Sequence, residues 1–229
     1  MKNFSKLEEQ LNISFKNKDL LTQALTHRSY LNENPDFHLT HNERLEFLGD
    51  AVLELVITDY LYRKYPNRPE GMLTNWRASL VNTKILAKIA HKLNFHKFLL
   101  VSKGEEKEID NDKASILADT FEALVGALYI DKSYQVCKKF IENNLTKELP
   151  EIIEKGLYKD SKSRFQEAAQ EKVEITPTYK ILDEKGPDHR KMFTLGVFLN
   201  NKLIAKGRGT SKQKAEEAAA KKALQIKKW

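Results

Sequence analysis

Two stretches of the sequence carry carboxylates inside runs that are otherwise almost entirely apolar. The acids of residues 45–57 (LEFLGDAVLELVI) are Glu46, Asp50 and Glu54, and those of residues 114–130 (ASILADTFEALVGALYI) are Asp119 and Glu122. Acids that stand three or four residues apart share one face of an α-helix. The second run is so apolar that protein must cover most of its circumference, and we expect its two acids to face a cleft.

Carboxylates gathered in a cleft need protons or a cation. Two like charges about 4 Å apart repel each other by roughly 4 kcal/mol at an effective dielectric of about 20, so the cluster must be neutralised. Hard oxygen ligands favour Mg²⁺, and substrate phosphates commonly complete its shell. The spacing therefore indicates a divalent-metal site, although it does not show that the two runs meet. For Glu54 alone, a solvated helix face is the favoured interpretation.

The elements that must position these acids are helical. Helical periodicity runs from Leu7 to about Ile153, as in LVNTKILAKIAHKL (80–93), and strand-like alternation is absent there. The sequence therefore predicts an all-α domain over residues 1–153. Periodicity is then lost, which predicts a linker over residues 154–160.

The C-terminal part follows a different pattern. It predicts, in chain order, a helix over 161–172, an extended segment over 176–186, strands over 191–199 and 202–209, and a helix over 211–226. This α-β-β-β-α order indicates an α+β domain over residues 161–229. Asn200 and Asn201 suit a two-residue hairpin turn, because Asn tolerates a positive φ. The last helix has a small-residue stripe for packing on the sheet, formed by Ala215, Ala218, Ala219 and Ala223.

The charge is concentrated at the C-terminal end. Residues 159–229 hold 17 Lys and Arg against 9 Asp and Glu, whereas residues 1–158 hold 22 against 23. A basic third attached to a nearly neutral body predicts a module that binds a polyanion. Lys212 and Lys214 fall in the first turn of the last helix, beside backbone N–H groups that can bind phosphate.

The composition excludes several classes of protein. With 41% hydrophobic and 31% charged residues, the chain is neither a disordered protein nor a membrane bundle. The single Cys137 excludes an intramolecular disulfide framework and a cysteine-based zinc site, and it fits a reducing compartment. We find no secretory signal and no apolar run of about 18 residues, so a cytoplasmic protein without membrane association is expected.

The motifs together resemble those of bacterial ribonuclease III. The similar strings are ALTHRSY (24–30), HNERLEFLGDAVLELV (41–56), EGMLTNWRASLVN (70–82) and ASILADTFEALVGALYID (114–131). The tail resembles a double-stranded-RNA-binding domain in KSRFQEAAQ, TPTYKILDEKGPDH and GRGTSKQKAEEAAAKKAL. The resemblance covers nearly the whole chain. It implies a multidomain protein: an all-α ribonuclease III endonuclease domain followed by an α+β (α-β-β-β-α) double-stranded-RNA-binding domain.

The resemblance also implies roles for individual acids. The family's metal-binding acids fall on Glu46, Asp50, Asp119 and Glu122. Of these four, Asp50 and Glu122 match the positions usually named catalytic. Glu43 and Glu70 match two further acids that line the cleavage valley, and they are expected to be accessory active-site residues.

Two further positions bear on assembly and on departures from the family. Phe47 resembles a residue of the family's dimer contact, so a homodimer is expected; the alternative is that Phe47 belongs to the ordinary core. Position 51 is alanine where many relatives have serine. This small-for-small change is not expected to affect metal binding.

In the tail, the resemblance assigns RNA contacts to the first helix, to a loop and to the start of the last helix. The residues are Lys162, Gln166, Glu167, His189, Lys212 and Lys214. Gln213 and Glu216 stand where many such domains are basic, so a moderate affinity for duplex is expected. His189 is equally compatible with an exposed loop histidine.

The function implied by the resemblance is hydrolysis of phosphodiester bonds in double-stranded RNA. The reaction is expected to depend on Mg²⁺, for which Mn²⁺ can substitute, and to need no organic cofactor. The expected products have 5′-phosphate and 3′-hydroxyl ends with short 3′ overhangs. The expected substrates are ribosomal RNA precursors and structured mRNA and tRNA transcripts.

Two other functions are alternatives to this one. A non-cleaving duplex-RNA-binding protein on a degenerate scaffold would lack a core acid, and none is lacking. A phosphohydrolase of small nucleotides would have paired metal-binding histidines, yet none of the 6 histidines joins these acids in a recognisable ligand motif.

Overall fold

The computed structural model describes residues 3–108, 114–158, 160–187 and 191–229. The chain divides into two compact units, Met1–Glu154 and Lys155–Trp229. Among the described residues, no helix combines the length and the apolar character needed to cross a lipid bilayer.

The regular secondary structure of the first unit is helical in its described residues, apart from an isolated parallel bridge between Thr26 and Leu100. Its helices are α1 (Ser5–Leu11), α2 (Lys18–Ala24), α3 (Arg28–Glu33), α4 (Glu43–Lys64), α5 (Glu70–Leu80), α6 (Thr83–Lys92), α7 (Lys103–Glu108), α8 (Ala114–Asp131), α9 (Tyr134–Leu145) and α10 (Leu149–Glu154). The second unit consists of α11 (Ser161–Val173), β1 (Thr178–Lys185), β2 (Met192–Leu199), β3 (Lys202–Gly209) and α12 (Lys212–Lys227). The predicted fold class, helices followed by α-β-β-β-α, is confirmed.

The centre of the first unit is the contact between α4 and α8. A Cβ added to Gly49 of α4 would overlap the carbonyl oxygen of Glu122, and one added to Gly126 of α8 would overlap that of Leu45. Protein interiors are too densely packed to absorb such an overlap without moving a helix. The two glycines therefore set the distance between the helices that carry the acids.

The apolar surface of α8 is covered on most sides by its neighbours. Phe121 is fully buried, and its ring stacks on those of Phe95 and Phe140 with centroid separations of 6.3 and 5.6 Å. Burying a side chain of this size stabilises the fold by roughly 1.5–3 kcal/mol. Because the apolar positions around them, from Ile116 to Leu128, are enclosed, Asp119 and Glu122 are only partly exposed.

The periodic run over residues 80–93 is divided between two helices. Asn82 is the N-cap of α6, and its Oδ1 accepts a hydrogen bond from the backbone N–H of Ile85 at 3.0 Å. An Asn side chain competes with the helical backbone for such a donor. The cap ends one helix and begins the next without disturbing the apolar spacing.

The second unit has a three-stranded sheet in the order β1-β2-β3, and both strand pairs are antiparallel. Leu199 of β2 pairs with Lys202 of β3, and Asn200 has a φ of 53°. The predicted two-residue turn is therefore confirmed, because a positive φ at the first turn residue suits the twist of a hairpin.

Small residues bring α12 close to β3. A Cβ on Gly207 would overlap the carbonyl oxygen of Ala215. The buried alanines of α12 are Ala215, Ala219, Ala220 and Ala223. Ala218, which the sequence placed on this stripe, is only partly buried. Ala220 is buried instead, because it faces the core that surrounds Phe165 of α11.

Candidate functional site

The start of α4 is anchored by a buried asparagine. The backbone N–H of Asn42 donates to the carbonyl of Thr26 at 2.9 Å, and its side-chain amide donates to that of Ala24 at 3.4 Å. Asn42 has an exposed fraction of 2%, so these bonds are shielded from water. They fix where the first turn of α4 begins, and hence where Glu46 stands one turn later.

Carboxylates from α4 and α8 meet beside the glycine contact. Glu46, Asp119 and Glu122 each place one carboxylate oxygen within 4.8 Å of the others, and all three side chains are partly buried. Asp50 is exposed, and its charge acts on Glu122. The structure thus brings together three of the four acids singled out in the sequence, and the charge of the fourth, Asp50, acts on the cluster from outside it. The binding of a metal by these acids stays a prediction.

Burial and mutual repulsion hold protons in this cluster. Burial is the largest cause that raises the pKa of Glu122, which reaches about 8. The neighbouring charges that add to this effect are, in order, those of Asp50, Asp119 and Glu46. Burial also raises the pKa of Glu46 and that of Asp119. A cation placed among these groups would displace the protons and favour the carboxylates.

His27 is a neighbour of the cluster that the sequence did not single out. Its charge opposes the effect of burial on the pKa of Asp119. Its Nδ1 accepts a hydrogen bond from the backbone N–H of Ser29 at 3.2 Å, which makes it the N-cap of α3. The string ALTHRSY contains this histidine, but nothing in its spacing reveals an electrostatic effect on Asp119 of α8.

The two predicted accessory acids lie in different places. Glu43 opens α4, is exposed, and has a carboxylate oxygen 3.7 Å from the guanidinium of Arg28. Glu70 opens α5, accepts a hydrogen bond from Thr74 Oγ1 at 2.8 Å, and lines a cavity of about 600 Å³ between α4 and α5. Glu70 is therefore not a member of the acid cluster of its own chain.

An apolar face of α4 is open to solvent. Phe47 has an exposed fraction of 82%, so the alternative that it belongs to the core of its own chain is excluded. Leu55 and Tyr62, which are 57% and 74% exposed, lie on the same side of the helix as Phe47. Large apolar side chains exposed on one side of a helix are typical of an interaction site.

The predicted RNA-contact residues of the second unit lie on α11 and at the start of α12. Gln166 and Glu167 are exposed on α11. Lys212 and Lys214 are exposed in the first turn of α12, and Gln213 is exposed between them. His189 lies outside the described residues.

Lys162, the remaining predicted contact, is engaged within the unit. Its Nζ lies 2.7 Å from a carboxylate oxygen of Glu216 and 5.1 Å from the ring centre of Tyr179. The sequence flagged Glu216 as a departure from the usual basic pattern, but only the fold reveals its partner.

Both units match described families. The profile of the family described as Ribonuclease-III-like matches residues 17–149, and that of the Double-stranded RNA binding motif matches residues 161–227. The chain belongs to the ribonuclease III family. Membership confirms the resemblance and the predicted enzyme class, an endoribonuclease with a double-stranded-RNA-binding domain.

Relatives align along nearly the whole chain. Ribonuclease 3 of Carboxydothermus hydrogenoformans is 47% identical over 225 residues, which cover 98% of this chain and 95% of the relative. Ribonuclease 3 of Desulforamulus reducens is 45% identical over 221 residues, with 96% and 90% covered. The solved nuclease domain of ribonuclease III from Campylobacter jejuni is 44% identical and has a TM-score of 0.56, covering 63% of this chain and 99% of that one. That structure is described as flexible in a region involved in dimer formation.

Proposed function

We propose that the protein hydrolyses phosphodiester bonds of double-stranded RNA in a Mg²⁺-dependent reaction that leaves 5′-phosphate and 3′-hydroxyl ends. The observation that carries this proposal is the convergence of oxygens from Glu46, Asp119 and Glu122 within 4.8 Å. The cluster stands in the nuclease unit of a ribonuclease III chain that also has a duplex-RNA-binding domain.

The donor set suits a hard divalent cation. Among the residues that the structure describes, no lysine or arginine forms an ion pair with Glu46, Asp50, Asp119 or Glu122, so repulsion within the cluster is left for another cation to relieve. Carboxylate oxygens are preferred ligands of Mg²⁺, and Mn²⁺ accepts the same ligands. Such an ion, when bound, lowers the pKa of a coordinated water molecule and polarises the scissile phosphate.

The acids of the cluster have different surroundings, and we assign them different parts. Glu46, Asp119 and Glu122 are partly buried and are held in place by the packing of α4 on α8, which fixes their oxygens before a ligand arrives. Glu122, whose pKa is about 8 in the metal-free cluster, must release a proton to become a ligand. Asp50 is the exposed member and hence the one most open to substrate.

We also propose that the enzyme is a homodimer. Phe47 and Tyr62 stand at opposite ends of the exposed face of α4, with Leu55 between them. Two copies of α4 packed antiparallel about a two-fold axis would cover each other's apolar faces. Two active sites would then cut opposite strands and leave short 3′ overhangs.

Glu70 lies outside the cluster of its own chain, so an accessory role for it requires the cluster of the second protomer.

The second unit would hold the duplex by its A-form shape. Exposed Lys212 and Lys214 lie beside the N-terminus of α12, where phosphates bind readily. Helix α11 offers Lys162 for a phosphate contact, and Gln166 and Glu167 for contacts across the minor groove. We assign ribosomal RNA precursors and structured mRNA and tRNA transcripts as substrates. Such transcripts are made in the bacterial cytoplasm, where we propose that the enzyme acts.

Cleavage of a long uniform RNA duplex, with Mg²⁺ or with EDTA, tests the site. The variants are Glu122→Gln and, as a control, Glu9→Gln, which removes an exposed acid of α1. The wild type and the control should cut only with Mg²⁺. Glu122→Gln should bind the duplex but cut at least about 10²-fold more slowly, because metal catalysis supplies several kcal/mol. Equal cleavage by both variants would refute the site, and cleavage in EDTA would refute the metal requirement.

A further inference from the structure

The ammonium group of Lys162 joins the two helices that carry the predicted RNA contacts. Lys162 belongs to α11, and Glu216, whose carboxylate lies 2.7 Å from its Nζ, belongs to α12. The two side chains are 45% and 24% exposed, so the ion pair lies at the surface. Among the described residues, no carboxylate forms a comparable ion pair with Lys212 or Lys214.

Other carboxylates occupy the N-terminus of α11. Glu217 accepts hydrogen bonds from the backbone N–H groups of Ser161 at 2.7 Å and Lys162 at 3.4 Å. The N-cap residue, Asp160, accepts one from the N–H of Ser163 at 2.8 Å. These N–H groups are therefore satisfied within the protein, and a phosphate that approaches this end of α11 would meet the side-chain ammonium of Lys162 and not free backbone donors.

We propose that Glu216 lowers the affinity of the second unit for duplex RNA by neutralising Lys162. The proposal rests on the proposed function, since it takes Lys162 as a phosphate contact. A phosphate that approaches Lys162 must displace the Glu216 carboxylate or lie beside it, and both outcomes weaken binding. Glu216 therefore sets the affinity although it makes no favourable contact with RNA itself.

Glu216→Gln tests this, because it keeps the shape of the side chain and removes its charge. Duplex binding by the full chain is measured in EDTA over a range of salt concentrations. A surface ion pair of this kind is weak, so we expect a two- to fivefold tighter complex, as a rough range, at physiological salt. The plot of log affinity against log salt should become steeper by up to about one unit, the contribution of one additional phosphate contact. Glu216→Ala, which favours helix, should change binding in the same direction.

Lys162→Met separates this mechanism from a general change of charge. Lys162→Met alone should weaken binding and flatten the salt dependence, and adding Glu216→Gln to it should bring only the small gain that the loss of any exposed acid brings. The matched control is Glu171→Gln, which removes an exposed acid of α11. It should give a small gain that is the same with and without Lys162.

The proposal is overturned if Glu216→Gln binds no more tightly than Glu171→Gln, or if its excess gain over Glu171→Gln persists in the Lys162→Met background. Lys162→Met with wild-type affinity would overturn it as well, while leaving the nuclease function standing. A wild-type protein that neither binds nor cuts duplex RNA would instead overturn the proposed function, and this proposal with it.

Discussion

Replacing Glu122 by glutamine should stabilise the metal-free protein at neutral and alkaline pH. The folded state raises the pKa of Glu122 from 4.5 to about 8, so the folded protein binds this proton more tightly than the unfolded chain does. The contribution of this proton to the free energy of unfolding is fully present below pH 4.5. It is lost as the pH rises towards 8, because the carboxyl must then ionise among other acids. Glutamine cannot ionise and avoids that loss.

The size of the effect follows from the pKa. If Glu122 were fully enclosed, a rise of its pKa from 4.5 to about 8 would lower the free energy of unfolding at pH 7.5 by at most about 4 kcal/mol. Glu122 is partly exposed, and solvent screening reduces the expected gain to about 1–2 kcal/mol. For a protein of this size, the melting temperature should rise by about 2–8 °C.

Thermal unfolding in EDTA measures this gain. The wild type, Glu122→Gln and the control Glu9→Gln are compared at about pH 8 and about pH 5. The difference in melting temperature between Glu122→Gln and the wild type should be present at the higher pH. It should nearly vanish at the lower pH, where the wild-type carboxyl is already protonated. Mg²⁺ should then stabilise the wild type more than Glu122→Gln, because a ligand that binds the folded state raises its stability.

Two results would refute the electrostatic interpretation. One is a Glu122→Gln protein that is no more stable than the wild type in EDTA at the higher pH. The other is a gain that is equally large at both pH values, since a packing effect would not depend on the charge of Glu122.

The remaining predictions concern packing, assembly and the second unit. Gly49→Ala should lower the free energy of unfolding by about 1–3 kcal/mol or more and abolish cleavage, because its Cβ would overlap the α8 backbone; thermal unfolding and cleavage assays check this. Gly71→Ala, whose Cβ would meet no atom within 4 Å, is the control and should leave both measurements nearly unchanged. Phe47→Asp should give a monomer in sedimentation experiments, whereas an unchanged dimer would place the interface elsewhere. Deleting residues 155–229 should weaken duplex binding at physiological salt more than cleavage at low salt, and an unchanged salt response would count against the role of the basic unit.

The sequence predicted the acids of the site but not the reason that they meet. The spacing of Glu46 and Asp50 along one run, and of Asp119 and Glu122 along another, placed each pair on a helix face. The approach of the two helices depends on Gly49 and Gly126, whose close contact involves residues far apart in the chain. Local periodicity contains no such information, and the family resemblance was needed to connect the runs.

The contacts that the sequence missed are long-range for the same reason. His27 acts on Asp119 from a different part of the chain, and Lys162 finds Glu216 only after α11 packs on α12. The division of residues 80–93 at Asn82 was missed for a local reason, because a cap residue leaves the apolar spacing intact. By contrast, the Asn200-Asn201 turn was predictable, since two residues suffice to define it.

The contact of Gly49 with α8 places a close helix crossing next to the acids, so substitutions there would disable the enzyme by deforming its scaffold. Exchange of a carboxylate for an amide leaves that crossing untouched. A variant that binds duplex RNA without cutting it should therefore be made by replacing carboxylates of the cluster with amides, with both glycines retained. Such a variant would keep its shape and could isolate the enzyme's targets from cells.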